Sequence, residues 1–336
     1  MTTPMFRKAQ PTPGDVHVNT PLTNLSVAYL QSETAFVARR VFPNVPSIHQ
    51  SNRYYEYDRG HFNRNQMKKR GTNSETAGVG YSVDNTPSYF CDVWGLHHDV
   101  PDMVRANADS VIDPDRDATN LLMHQALISQ EAEWATAFFT TSIWTTDRTG
   151  VAAAPGPTEF LQWNDATSNP IEDVRLGKTT VLQSTGFEPN VLVIGRQVFD
   201  KLVDHPDIID RVKYGQAGAG RPAEVNVDTL TSLFGVRIMV MNAIQNTAAE
   251  GATNVHAFIG GKKALLAYVA PSPGVMIPSA GYTFAWSGYL GASSAGTRIR
   301  RFRMENLASD RVELEMAYSY KKVGADLGYF FTTAVA

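Results

Sequence analysis

The chain has 336 residues, of which 43% are hydrophobic and 19% charged, a composition typical of a folded globular protein. Its formal net charge is -3, so no overall field attracts it to nucleic acid or anionic lipid, and any contact with DNA must be local. Cys91 is the only cysteine, which excludes an intrachain disulfide and a cysteine-based zinc cluster. No segment has the roughly 20 apolar residues of a membrane span, and the first ten residues lack a signal-peptide core, so we expect a protein that stays in the cytosol.

Residues 1–50 contain six prolines around one short amphipathic stretch, Leu25 to Val41. Proline fixes the backbone and lacks the amide hydrogen that helices and central strands need, so a segment this rich in proline is a poor candidate for either. We therefore expect an extended N-terminal arm over these residues.

Between Arg53 and Asp99, aromatic and polar residues alternate on both sides of a polar, glycine-containing tip at residues 70–80. Alternation with a period of two predicts paired strands, here a long hairpin. The first half of the hairpin carries a basic rim formed by Arg59, Arg64, Lys68, Lys69 and Arg70. Such a ribbon has little apolar surface to bury, so we expect it to project from the body and to need a partner.

A long helix is predicted to follow the hairpin. Asp113 is a favourable N-cap, Pro114 suits the first helical position, and Asp115 and Asp117 place carboxylates at the positive end of the helix. An apolar stripe then recurs at steps of three and four residues: Ala118, Leu121, Leu122, Gln125, Ile128, Ala132, Ala135 and Phe139. The stripe runs for about 25 residues, which corresponds to roughly 40 Å of helix.

The second half of the chain begins with a Gly/Pro/Ala-rich break at residues 150–157 and a second predicted helix, from Pro170 to about Thr185. A buried strand at residues 191–194, a short helix at 197–203 and a glycine-rich loop at 215–220 follow. The pattern then predicts strands at residues 236–241, 255–259, 264–269 and 282–289, and a solvated hairpin of residues 298–303 and 311–318. A helix-rich middle between β-rich flanks is typical of an α+β fold.

Short motifs favour no metal site. His97, His98 and Asp99 are adjacent in a predicted strand, so their side chains alternate between its two faces. Asp113, Asp115 and Asp117 imitate the start of a calcium loop but lack its glycine and its bidentate glutamate, and helix capping explains them better.

The chain shows no convincing catalytic or cofactor motif either. Glycines at 215, 218 and 220 lack the preceding strand of a dinucleotide loop, and residues 260–263 (Gly-Gly-Lys-Lys) are expected to form a basic hairpin turn. Residues 205–207 (His-Pro-Asp) are interpreted as a helix break, because proline cannot continue a helix. No Gly-x-Ser-x-Gly elbow occurs, and Cys91 has only His97 and His98 nearby as bases. We therefore expect no enzymatic activity.

The basic hairpin has two functional interpretations. Basic residues interleaved with Tyr54, Tyr55, Tyr57 and Phe62 are typical of a nucleic-acid surface. A projecting ribbon that contacts a neighbouring subunit is the interpretation we favour, because alternation indicates a ribbon and not a groove. A solvated loop without a partner is the remaining alternative.

The order of the elements resembles that of the major capsid proteins of tailed bacteriophages, which have the Hong Kong 97 type fold. That order is a proline-rich arm, a long basic hairpin, a long helix, a second helix, a buried strand with a short helix, and a β-rich end. The amino-acid sequences of three segments are also similar to phage capsid sequences: Val27 to Pro43, Asn190 to Tyr214 and Leu230 to Met241. The resemblance covers nearly the whole chain.

The resemblance implies a division of the chain into the parts of that fold. Residues 1–50 correspond to the N-terminal arm, 51–108 to the extended loop, and 109–190 to the peripheral domain with a spine helix at 113–142. Residues 191–290 correspond mainly to the axial domain, and 291–336 to return strands shared by the peripheral and axial domains.

The resemblance also implies a structural function: hexamers and pentamers of the chain form an icosahedral shell around double-stranded DNA, assembled in the host cytoplasm. The expected partners are further copies of the chain, a separate scaffold protein, a portal and a decoration protein, with DNA contacted non-specifically at most. No catalytic, cofactor or metal site is expected. The expected subunit contacts are Arg59, Arg64, Lys68, Lys69 and Arg70. Some members of the family crosslink a lysine of the extended loop to an asparagine of a neighbouring subunit. Lys68 and Lys69 lie in a suitable region, but no acceptor residue can be matched in this sequence.

Two other classes of protein are compatible with the sequence. One is an encapsulin-like shell protein of a cellular compartment, which uses the same fold around an enzyme cargo. The other is a cytosolic enzyme without a recognisable motif. Electron microscopy of purified material separates them, because an enzyme forms no shells and a compartment contains protein cargo instead of DNA.

Overall fold

The computed structural model of the chain describes residues 30–108, 112–215, 225–274, 276–290 and 297–336. The first 29 residues of the predicted arm, and all but the first residue of the predicted glycine-rich loop at 215–220, lie outside these ranges. The described residues combine mixed sheets with helices that pack on them, so the predicted α+β class is confirmed.

The helices of the described residues are α1 (Ala38–Val41), α2 (Arg59–Phe62), α3 (Asp102–Asn107), α4 (Pro114–Phe138), α5 (Pro170–Thr185), α6 (Arg196–Val203), α7 (Pro206–Gly215), α8 (Val227–Phe234) and α9 (Ser287–Leu290). The strands before α5 are β1 (Asn44–Ser47), β2 (Ser51–Arg53), β3 (Glu56–Tyr57), β4 (Val83–Asp84), β5 (Ser88–Phe90), β6 (Asp92–Pro101), β7 (Thr146–Val151) and β8 (Glu159–Leu161). Those after α5 are β9 (Val191–Gly195), β10 (Arg237–Met241), β11 (Ile244–Asn246), β12 (His256–Phe258), β13 (Ala264–Ala267), β14 (Gly281–Trp286), β15 (Thr297–Met304), β16 (Ser309–Lys322) and β17 (Gly328–Thr332).

A six-stranded sheet in the order β10-β9-β13-β17-β7-β8 contains the largest part of the core. Every residue of β9 is buried, and β9 pairs with β10 in parallel and with β13 in antiparallel orientation. Leu192 and Ile194 pack in a cluster with helices α5 to α8, whereas Val191 and Val193 pack with the end of α4. Both faces of the sheet are therefore covered, which explains the uninterrupted apolar sequence of this strand.

Strand β16 is the centre of the second large sheet. Its residues 309–318 pair with β6 and its residues 309–316 with β15, and its far end pairs with β14, which in turn pairs with β1. Helix α4 covers one face of this sheet, where Ala118 and Leu122 pack in a cluster with Val312 and Leu314. The sheet and the helix thus bury one shared apolar layer.

Helix α4 begins as the sequence predicts. The Asp113 carboxylate accepts hydrogen bonds from the backbone N–H groups of Asp115 and Arg116, at 3.1 and 3.2 Å, which confirms the capping interpretation. The apolar stripe predicts that Leu121, Leu122, Ile128 and Ala135 face the core. Leu122 is 2% exposed, but Leu121 is 41% exposed, so the prediction is wrong for Leu121. Buried positions follow steps of about four residues from Ala118, and that spacing turns position 121 toward solvent.

Residues 36–47 differ from the predicted extended arm. Val37, Val41 and Phe42 are at most 3% exposed and pack against the end of α4, and β1 adds a parallel strand to β14. The arm prediction for residues 1–50 is therefore wrong for this segment. The apolar residues at the end of the amphipathic stretch, Val37, Ala38 and Val41, are buried in the core. Pro46 is tolerated in β1 because β1 is an edge strand.

A buried carboxylate on α4 fixes this segment. Glu131 is completely buried, and its oxygens accept hydrogen bonds from the backbone N–H groups of Val37 and Ala38, at 2.9 and 2.8 Å. Burial raises the pKa of Glu131 to about 7, although the two backbone hydrogen bonds and the nearby charge of Arg40 act in the opposite direction. Glu131 thus satisfies the first N–H groups of α1. The N-cap residue of α1, Val37, has no side chain that could accept these hydrogen bonds.

Several other predicted elements are confirmed with small changes of length. Helix α5 ends at Gly186, whose φ of +82° is the left-handed conformation that favours glycine. The predicted strand at residues 282–289 ends at Trp286 and is followed by α9, and the predicted hairpin near the C-terminus is β15 with β16. Residues 260–263 form a turn, but the strands on either side, β12 and β13, do not pair with each other, so the predicted hairpin there is wrong.

The two adjacent leucines of α4 provide a test of the packing. Leu122→Ala should lower the free energy of unfolding by roughly 2–5 kcal/mol, because the side chain is buried and leaves a cavity. Leu121→Ala, the matched control on the solvent side, should change it by less than about 1 kcal/mol. Urea denaturation of both variants measures the difference, and equal losses would contradict the described orientation of α4.

Glu131 predicts a specific pH dependence. The raised pKa means that the folded state holds this proton more tightly than the unfolded chain, whose glutamate titrates near 4.5. Its contribution to stability is therefore complete below about pH 4.5 and is lost as the pH rises through 7. As the pH rises from 4.5 to above 7, the free energy of unfolding of the wild type should fall by roughly 2–3 kcal/mol relative to that of Glu131→Gln. Denaturation over a pH series measures this difference. A constant difference between the two proteins would contradict the assignment.

Candidate inter-subunit interface

The root of the predicted hairpin is anchored in the body of the chain. Strands β2 and β5 pair in antiparallel orientation, and the Tyr89 ring stacks on Phe284 of β14 with ring centres 4.1 Å apart. Tyr89 and Cys91 are buried in a small cluster with Tyr282 and Phe284. Directly after Cys91 the chain enters β6, which pairs with β16 over ten residues. The point at which the hairpin leaves the body is therefore fixed.

The middle of the hairpin is formed by β3, β4 and the single turn of α2. Glu56 and Asp84 are direct cross-strand partners, an unfavourable pairing of like charges. Burial, together with the charge of Asp84, raises the pKa of Glu56, while Lys322 acts in the opposite direction. Arg59 forms an ion pair with Asp326 of the body at 2.7 Å, and both side chains are partly exposed. These contacts give the hairpin a preferred direction relative to its own body.

The tip, residues 63–82, contains no helix or strand and holds four of the five predicted contact residues. The Arg64, Lys68 and Lys69 side chains are exposed and make no ion pair or hydrogen bond with the described part of the chain. Arg70 is also exposed, and its Nε donates a hydrogen bond to the Ser74 carbonyl at 2.7 Å. The tip therefore presents positive charge that the described residues do not neutralise.

The five predicted residues lie on one largely exposed segment of the hairpin, but Arg59 differs from the others. It already has an intrachain partner, Asp326, which sequence reasoning did not identify. The two residues are 267 positions apart, and no local pattern in the sequence links them. We therefore regard Arg59 as a residue that positions the hairpin.

The second arginine-rich segment of the protein, β15, is electrostatically different. Its arginines are paired within the chain: Arg298 with Glu315 at 2.6 Å, Arg300 with Glu313 at 2.9 Å, Arg301 with Asp310 at 2.7 Å, and Arg303 with Asp102 at 2.6 Å. A nucleic acid would have to break these pairs to use the arginines. Uncompensated positive charge is thus a property of the hairpin tip and not of β15.

Of the candidate metal residues His97, His98 and Asp99, the carboxylate has a structural partner. Asp99 accepts two hydrogen bonds from the Arg311 guanidinium, at 2.6 and 2.9 Å, which hold its pKa below the usual range despite partial burial. His97 and His98 lie at successive positions of β6 and so on opposite faces of the sheet. Within the described residues, no group of three His, Cys, Asp or Glu side chains could hold a metal ion.

The remaining candidates serve the fold. Burial, with a smaller effect from the charge of Asp92, raises the pKa of Cys91 to about 11, so its thiol remains protonated at neutral pH. His205 is buried, and its Nε2 lies 3.0 Å from Ser168 Oγ while its Nδ1 accepts a hydrogen bond from the Asp207 N–H. Pro206 occupies the first position of α7, where proline suits a helix. None of the described helices is long and apolar enough to cross a membrane.

Sequence comparisons relate the chain to phage head proteins. The family described as phage major capsid protein E matches residues 161–280. The major capsid protein of Burkholderia phage BcepMu is 30% identical over 173 residues, and this match spans 50% of the chain and 51% of that relative. The major capsid protein of Pseudomonas phage JBD67 is 26% identical over 316 residues, or 94% of the chain and 96% of that protein.

Solved structures show the same fold. A phage-related protein from Bordetella bronchiseptica RB50 is 22% identical, with a TM-score of 0.65 over 90% of this chain and 94% of that chain. A chain of the Cyanophage P-SCSP1u capsid is 12% identical, with a TM-score of 0.61 over 96% and 95%. The encapsulin of Synechococcus elongatus PCC 7942 is 13% identical, with a TM-score of 0.56 over 93% and 92%. The predicted Hong Kong 97 type fold is therefore confirmed.

Limited proteolysis tests whether the hairpin tip is accessible. Trypsin should cut the free subunit within residues 64–70 before it cuts after Arg298 or Arg311, because the tip has no regular secondary structure whereas those arginines lie in paired strands. Mass spectrometry of early fragments identifies the sites. Early cleavage at Arg298 or Arg311, with an intact tip, would mean that the hairpin is packed and not projecting.

Proposed function

We propose that the chain is a major capsid protein of the tailed-bacteriophage type, whose copies assemble through the hairpin into hexamers and pentamers of an icosahedral, DNA-containing shell. The observation that carries the proposal is the combination of a capsid fold with sequence similarity to a phage major capsid protein over almost the whole chain. We infer a structural role, which is supported by the burial of Cys91 and the raised pKa that keeps its thiol protonated.

The geometry of the hairpin supports a role in the lattice. Its root is fixed by β6 and β16, and its tip carries charge that has no ion-pair partner in the part of the chain that the structure describes. A projecting segment of this kind contacts a different patch on its neighbour, and a contact between unlike patches generates a ring when the rotation closes. Several such contacts per subunit make a closed shell much more stable than any isolated pair.

The residues that we propose for the contact between copies are Arg64, Lys68, Lys69 and Arg70, with Arg59 positioning the hairpin through Asp326. The whole chain is net acidic, so a locally basic tip is attracted to the surface of another copy. Charges at the rim of an interface mainly accelerate encounter and select the register.

Further partners follow from the same role. We propose a separate scaffold protein, a portal and a decoration protein, assembly in the host cytoplasm, and non-specific contact with DNA at most. The paired arginines of β15 support weak DNA contact, because a carboxylate of the same chain already neutralises each of them. We also propose the predicted extended loop at residues 51–108, the peripheral domain with its spine helix at 109–190, the mainly axial domain at 191–290 and the return strands at 291–336.

An encapsulin-like shell is the second candidate, because an encapsulin shares the fold. Similarity to phage major capsid proteins at the level of sequence favours the phage shell. Cryo-electron microscopy and nucleic-acid analysis of purified particles separate the two, since a phage shell contains DNA and a compartment contains protein cargo.

The charge of the tip is tested by reversing it. Replacement of Lys68, Lys69 and Arg70 with glutamate should reduce the yield of shells at least about tenfold, with scaffold protein present, because repulsion replaces attraction at the contact. The subunit should remain folded, because these side chains are exposed. The matched control, Lys68→Arg with Lys69→Arg and Arg70→Lys, keeps the charge and should assemble normally.

A second measurement on the same variants separates the lattice role from nucleic-acid binding. DNA binding by free subunits is measured by fluorescence anisotropy. Normal shells from the glutamate variant, together with loss of DNA binding, would contradict the lattice role and favour a nucleic-acid role for the tip.

A further inference from the structure

One face of the hairpin carries a cluster of aromatic rings that the described part of the chain leaves uncovered. The ring centres of Tyr57, Phe62 and Tyr81 lie 5.9–6.1 Å from one another. Phe62 is 52% exposed and Tyr81 is 65% exposed, and Tyr55 on the same ribbon is 68% exposed. Exposed apolar residues that occur together, and not singly, mark interaction surfaces.

The backbone places these rings together. Tyr57 and Val83 are direct cross-strand partners, so the alternation of side chains along a ribbon puts Tyr55 and Tyr81 on the same face. The Asp58 carboxylate accepts a hydrogen bond from the Gly60 N–H at 2.8 Å and starts the turn of α2, which returns Phe62 to the cluster. The charged residues Glu56 and Asp84 lie on the opposite face of the ribbon. The hairpin thus has one aromatic face and one acidic face.

Charge complementarity identifies the occupant of the aromatic face as a second copy of the chain. Residues 51–90 contain six basic and four acidic residues, whereas the rest of the chain contains 24 basic and 29 acidic residues. A hairpin of net positive charge is therefore attracted to the net negative body of another copy. Its own body is not available, because Arg59 with Asp326 and the β2–β5 root fix the hairpin while the rings stay exposed.

We propose that the aromatic face, formed by Tyr55, Tyr57, Phe62, Tyr81 and Val83, is the apolar anchor by which one copy of the chain binds the next. This inference rests on the proposed function and deepens it, because it separates two tasks within the hairpin. Aromatic residues buried at the centre of an interface carry most of its binding free energy, whereas exposed rim charges carry little. The rings supply affinity, and the basic tip supplies steering.

Nucleic acid is the competing occupant of an aromatic and basic surface. Bases that stack on a protein must be unpaired, and each needs a free ring face. Here the three rings pack against one another in tilted and edge-on arrangements, which uses part of each ring. Protein–protein contact is therefore the better match, and DNA is an outcome that the test can detect.

Truncation of the rings tests the anchor. In the full-length chain, with scaffold protein if assembly requires it, Phe62→Ser and Tyr81→Ser should each raise the critical concentration for shell assembly at least about tenfold. The matched control is Met67→Ser, which removes an apolar side chain that is 96% exposed on the same hairpin and should change this concentration less than about twofold. Light scattering against protein concentration measures it, and thermal unfolding of the free subunits should be unchanged for all three variants.

A photo-crosslinker identifies the occupant directly. With p-benzoylphenylalanine in place of Tyr81, illumination of assembled shells should give covalent dimers, with the crosslink in a second copy of the chain. Crosslinks confined to one chain or to DNA, or ring variants that assemble like the wild type, would overturn the inference. If the wild-type chain forms no shells, the proposed function fails as well. If the wild-type chain forms shells and the ring variants assemble equally well, the inference alone fails.

Discussion

The pairing of β6 with β16 is the interaction on which the rest of the molecule depends. Ten residue pairs join segments that are more than 200 positions apart in the chain, and α4 buries an apolar layer against both strands. Because β6 follows the hairpin almost directly, this ladder also determines where the hairpin leaves the body. Loss of the ladder would release the spine helix and the projecting segment together. Stability of the body and geometry of the proposed contact therefore have one structural cause.

Charge is distributed in a way that matches this arrangement. In the sheet around β16, arginine and carboxylate side chains of neighbouring strands form pairs such as Arg311 with Asp99 and Arg298 with Glu315. Partly exposed pairs of this kind add little stability, but they leave a sheet face without excess charge. The hairpin tip lacks such partners among the described residues. The tip therefore offers steering charge that β15 does not.

Local signals in the sequence were sufficient for much of the fold. Asp113 and Pro114 determine the start of α4, Gly186 determines the end of α5, and the apolar run of β9 predicts a strand covered on both faces. Each of these features depends on residues within one turn or strand, so periodicity and capping identify it. The pairing of residues 51–57 with residues 83–90 was also predictable, because its alternation is local. Residues 92–99 were predicted to belong to the same hairpin, which is wrong, because they pair with the distant strand β16.

Other features depend on contacts between distant segments and were not predictable. The burial of Val37 and Phe42 requires the end of α4, and the Glu131 carboxylate binds the N–H groups of Val37 and Ala38 from 94 and 93 positions away along the chain. The exposure of Leu121 depends on which side of α4 faces β16, and a helical stripe that is apolar over a wide arc does not determine that side. For the proposed contact, the basic residues were evident in the sequence, whereas the Arg59–Asp326 pair and the ring cluster required the fold.

A cryo-electron microscopy reconstruction of assembled particles tests the central claim most directly. It should show the hairpin of residues 51–90 lying on an adjacent copy, with Phe62 and Tyr81 buried at that contact and with β6 still paired to β16 in each subunit. A shell in which the hairpin contacts only its own subunit, or a preparation without shells under any assembly condition, would contradict the account.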